Sequence, residues 1–149
     1  MLSTFAAALM FAIDTESRSS EFYENAARND RYERARESLL LFAEQNKKNK
    51  SVLEKMYKDS TASDGDVGAF APIAGLRRGD YLVERQLASD ASYQDFVGLA
   101  MNIEEKVSKL YLDIAAQVSS QGTRIVRSFE RLAERSNRKL KLESLLKTA

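Results

Sequence analysis

Neither cysteine nor histidine occurs among the 149 residues. Without cysteine there are no disulfides, thiolate metal sites, iron–sulfur clusters or cysteine nucleophiles. Without histidine there is no imidazole base, no Ser-His-Asp triad and no histidine-ligated metal. Turn formers are scarce, with one proline and six glycines, which suits long helices better than many short strands. Charge of either sign is not in excess: the net charge is +1, so bulk attraction to nucleic acid or an anionic membrane is not expected. No run reaches the roughly 20 apolar residues of a membrane span, and a cytoplasmic location is the expectation. The opening MLSTFAAALMFAI has no basic leader and continues into Asp14, Glu16 and Arg18 at helical spacing. It reads as the start of a helix rather than as a signal peptide.

What is present is a 44% hydrophobic, 30% charged chain of a size for one domain, residues 1–149, able to bury a substantial core. Its main feature is a stretch that occurs twice. FAIDTESRSSEFYENAA (11–27) and LAMNIEEKVSKLYLDIA (99–115) align with a shift that pairs Ala12 with Ala100, Glu16 with Glu104, Ser20 with Ser108, Tyr23 with Tyr111 and Ala27 with Ala115. Each copy places a carboxylate in the middle of an apolar helical face and a tyrosine two turns later.

The first helix is expected from a Ser3 or Thr4 cap to about Ala27. The second starts between Asp30 and Arg34, ends near Lys58, and faces inward through Leu39, Phe42, Ala43, Asn46, Asn49, Leu53 and Met56. Residues 60–79 hold four of the glycines and the only proline, so a long crossover divides the chain. Within the wider connection 59–90, Asp80–Leu87 could form a short helix, and the apolar AFAPIAG would cap the bundle or join a dimer interface. Ser89 or Asp90 caps a third helix. A fourth runs unbroken from about Thr123 to Leu146, with Ile125, Phe129, Leu132, Ser136, Lys139, Leu140 and Leu146 inward. The fold class expected is all-α: a ferritin-like four-helix bundle made of two helical hairpins joined by a long crossover.

On these residues, FAIDTESRSSEFYENAA with LLLFAEQNKKNKSVLEKM resembles the first hairpin of a rubrerythrin, and SFERLAERSNRKLKLESLL completes a second. Carboxylate proteins of this architecture build a two-metal centre from one Glu on each of two helices and a Glu-x-x-His on each of the others. The resemblance implies Glu16 and Glu104 as the single-Glu metal ligands and Tyr23 and Tyr111 as the tyrosines beside them. The Glu-x-x-His positions fall on Asn46 and Asn49 and on Ser136 and Lys139. Of six ligands only two remain, and the chain has no cysteine for a rubredoxin-like domain.

The expectation is therefore a degenerate di-iron site: no catalytic residue, no cofactor, and a buried polar cluster of Tyr23, Asn46, Asn49, Tyr111, Ser136 and Lys139. In it the Lys139 ammonium takes the place of the metals and pairs with Glu104 or Glu16. The alternative that the resemblance implies is a metal-binding oxidoreductase, peroxidase or ferroxidase-like, holding iron through Glu16 and Glu104. The resemblance further implies a homodimer. Arg124, Arg127, Arg131, Arg135 and Arg138 fall roughly 80° to 160° from the inward face of a continuous fourth helix. They read as a solvated stripe rather than a nucleic-acid surface.

Overall fold

The protein is described by a computed structural model covering residues 1–62 and 67–146; Gly65 of the crossover lies outside the described residues. It is all-α apart from one small sheet. Strand β1 (Leu2–Thr4) leads into α1 (Phe5–Ala27). A 3-10 stretch, Asp30–Ala35, precedes α2 (Arg36–Thr61), and β2 (Pro72–Leu76) lies in the crossover. Then come α3 (Tyr93–Gln117), α4 (Thr123–Ala133) and α5 (Ser136–Leu146). Helix α1 packs along α2, and α3 packs along α4 and α5. No helix among the described residues is long and apolar enough to cross a membrane.

Capping sets several ends. Thr4 Oγ1 accepts from the Ala7 N–H at 3.1 Å, and Ser92 Oγ accepts from the Asp95 N–H at 3.0 Å, each satisfying a donor that a helix start leaves free. Ser92, not Ser89 or Asp90, is thus the cap of α3. The crossover serves α1 in the same way: Phe5 N–H donates to Ala71 O at 2.9 Å and Ala6 N–H to Ala69 O at 2.8 Å.

The two strands pair antiparallel, Leu2 with Leu76 and Thr4 with Pro72, a sheet the helical periodicity did not anticipate. Gly75 bends β2 with a φ of +78°, a conformation that side chains with a Cβ disfavour. Ala69, Ile73 and Leu76 are buried against the end of the bundle, whereas Phe70 is 86% exposed, so the crossover covers that end on its own chain. The expected short helix at Asp80–Leu87 reduces to a 3-10 turn at Arg78–Asp80 followed by a strap, residues 82–89, that is neither helix nor strand.

The fourth helix is broken. Glu134 has extended backbone (φ −75°, ψ 100°). Ser108 Oγ donates to the Ala133 carbonyl at 2.8 Å, and the Glu134 carboxylate accepts from both the N–H and the hydroxyl of Ser136. The end of α4 and the start of α5 therefore find partners without a continuous helix. Up to the break, Phe129 and Leu132 point inward as expected. Beyond it the buried residues are Arg135, Arg138 and Leu142, while Ser136 and Leu140 are exposed. The inward register has moved one residue earlier, a rotation of about 100°.

Candidate functional site: a buried guanidinium–carboxylate layer

Glu16 from α1 and Glu104 from α3 are fully buried, placed there by the apolar faces around them: Ala8, Leu9, Ala12 and Tyr23 on one helix, Ala100, Ile103, Val107 and Tyr111 on the other. A bare carboxylate at such depth would be costly. Arg135 and Arg138 supply the compensation. Arg135 Nη2 donates to Glu16 Oε1 at 2.6 Å and its Nε to Glu104 Oε2 at 2.7 Å, so one guanidinium bridges both repeats. Arg138 Nη1 donates to Glu104 Oε1 at 3.0 Å and to Asn46 Oδ1 of α2 at 2.6 Å. Tyr23 completes the shell, its hydroxyl donating to Glu104 Oε1 at 2.7 Å. Two negative and two positive charges thus lie in one layer, drawn from α1, α3, α5 and the break before α5, with Asn46 of α2 joining it.

The electrostatics follow from the geometry. Burial alone would raise the Glu104 carboxyl, but Arg135, Arg138 and the Tyr23 hydrogen bond outweigh it and hold the group below its ordinary value. Burial opposes the Arg135 charge too, and Glu104 and Glu16 reverse that, binding its proton more firmly. Burial, reinforced by Glu104, pushes the Tyr23 hydroxyl well up, and burial with Glu16 does the same to Tyr111. Both hydroxyls stay protonated and neutral at physiological pH.

Because folding depresses the Glu104 pKa, the stability it contributes is present above the unfolded value and is lost as pH falls through the folded one. Urea unfolding should therefore show stability declining below the ordinary carboxylate range, with a shallower decline in Glu104→Gln.

The tyrosines, equivalent by the repeat, are not equivalent in their bonding. The Tyr111 hydroxyl is buried with no hydrogen-bond partner among the described residues, and its ring lies against the Arg135 guanidinium, 5.9 Å away. Tyr23→Phe should cost about 1–3 kcal/mol by stripping Glu104 of a buried donor, while Tyr111→Phe should be neutral or slightly stabilising. Thermal unfolding of the two variants side by side gives the comparison.

Four of the predicted residues, Glu16, Glu104, Tyr23 and Asn46, meet in the layer, and Tyr111 borders it. Asn49 is half-buried outside the network, and Ser136 faces solvent. Lys139, expected to replace the metals, is partly exposed and sits 3.6 Å from Glu105 instead. The cations that pair with Glu16 and Glu104 are instead Arg135 and Arg138, which wheel arithmetic on an unbroken helix put on the outer face. The remaining stripe arginines, Arg124, Arg127 and Arg131, are exposed.

These donors do not fit the two-metal centre that the resemblance implies. The Glu104 oxygens are both occupied by cationic donors, Glu16 accepts three bonds from Arg135, and the Asn46 carbonyl is taken by Arg138. Two guanidiniums in the same layer would also repel a dication. Among the described residues no group of three or more acidic side chains is placed to hold a metal. In comparisons with protein-family descriptions, curated proteins and solved structures, nothing matches this chain.

Proposed function

We propose that the chain is a rubrerythrin-like, ferritin-like bundle that acts as a non-catalytic binding or structural protein, its two-metal centre replaced by a guanidinium–carboxylate layer. The observation that carries this reading is the double engagement of Arg135, which bonds Glu16 and Glu104 at once from the position where metals would have to sit. The repeated Glu and Tyr of α1 and α3, and the packing of the helices as two pairs, support the relationship. Redox catalysis on such a scaffold needs metals held in fixed geometry, and the carboxylates here are committed to cations of the chain itself. A homodimer is the assembly the resemblance implies.

Anaerobic incubation with excess ferrous iron, desalting and elemental analysis tests the reading. The expected result is less than about a tenth of an iron per chain. Retention of one or two irons per chain, lost on Glu16→Gln or Glu104→Gln, would overturn it in favour of a metal-binding oxidoreductase.

A further inference from the structure

Beside the ionic layer lies a groove of about 870 Å³, roofed by the strap 82–89 and walled by α1. Its volume suits a small organic ligand. Its floor is aromatic: Phe22 stacks on Phe96 with centroids 5.2 Å apart, and Tyr32 stacks on the other side of the cluster at 5.1 Å from Phe96. Its polar end carries two arginines, Arg18 and Arg85.

Arg85 is the unusual member. Its Nη2 donates to Ser19 Oγ at 3.2 Å and its Nη1 to the strap's own Val83 carbonyl at 3.3 Å. Of a guanidinium's five donors three have no partner among the described residues, the buried Nε–H among them. No carboxylate among the described residues forms a salt bridge with it, and its strongest charged influence is the like charge of Arg18. The central layer balances itself with two carboxylates and two guanidiniums, so Arg85 is a further positive charge with no carboxylate in direct contact among the described residues. An unsatisfied buried donor of this kind is uncommon. Arg18 is tied only to the exposed Asp14, at 3.2 Å, a pairing that a competing anion displaces at little cost.

We propose that this groove is a binding site for a small organic monocarboxylate with an apolar body, the carboxylate held by Arg85 with help from Arg18 and the body lying against the groove-facing edges of Phe22 and Tyr32, which Phe96 backs from the core. A guanidinium edge matches a carboxylate with two parallel hydrogen bonds. The aromatic floor favours an apolar body over a free inorganic anion. Glu21 and Glu84 also border the groove and are exposed; at its rim they disfavour a dianion more than a monoanion. The inference does not rest on the fate of the metal centre, since Arg85 belongs to the strap and binds no metal.

Titration with 3-phenylpropionate, followed by NMR and calorimetry, tests it, with 3-phenylpropanol and inorganic phosphate as comparisons. Wild type should saturate with a millimolar or tighter dissociation constant and shift the Arg85 Nε–H resonance. Arg85→Met, on a segment outside the helices, should weaken binding at least about tenfold, and Arg18→Met about threefold. No saturation with the wild type, equal affinity in Arg85→Met, or equal binding of the alcohol or of phosphate would each overturn the assignment. The iron measurement is unaffected by any of these outcomes.

Discussion

Arg135→Leu is expected to lower the unfolding free energy by about 3–5 kcal/mol, because it leaves Glu16 with none of its three guanidinium contacts and removes one of the three donors to Glu104. In a chain of this length that corresponds to a fall in Tm of roughly 10 °C. The loss comes from the uncompensated charge rather than from volume, since leucine fills part of the same space. Arg138→Leu should cost less, because Glu104 keeps Arg135 and Tyr23. Urea unfolding of both variants measures the difference. Equal, small losses would mean that water or another cation takes the place of Arg135.

Removing the whole layer should have the opposite sign. A variant carrying Glu16→Leu, Glu104→Leu, Arg135→Met and Arg138→Met, together with Tyr23→Phe and Asn46→Leu so that the buried partners of the four charges leave with them, is expected to be as stable as the wild type or up to about 4 kcal/mol more stable. Two buried ion pairs repay their desolvation only in part, and apolar groups of similar size carry no such cost. The contrast with Arg135→Leu separates an electrostatic layer that satisfies itself from one on which folding depends. A loss in the multiple variant as large as in the single one would point to packing, not charge, as the reason these residues sit where they do.

The helical pairs and the buried Glu16, Tyr23, Glu104 and Tyr111 were legible in the sequence because they follow from periodicity: a repeated apolar face places the same positions inward in both copies. The identity of the compensating cation was not. It depends on the backbone at Glu134, where a local capping interaction with Ser136 and the Ser108 bond to Ala133 interrupt α4. Wheel arithmetic assumes an uninterrupted helix and so assigned the inward positions to Ser136 and Lys139. The available signal was charge: two buried carboxylates call for two cations, and Arg135 and Arg138 stand three residues apart, the spacing of neighbours on one helical face. The β1–β2 pairing escaped for a different reason, as a three-residue strand joined to a distant loop leaves no periodic trace.

Guanidinium groups of the chain hold the buried Glu104 carboxyl below its ordinary pKa. Carbon-detected NMR titration of the Glu104 side-chain carboxyl tests it most directly. The expected midpoint lies below that of an exposed glutamate and moves upward in Arg138→Met as burial meets less opposing charge. A midpoint at or above the ordinary glutamate value in the wild type, unmoved by that substitution, would contradict it.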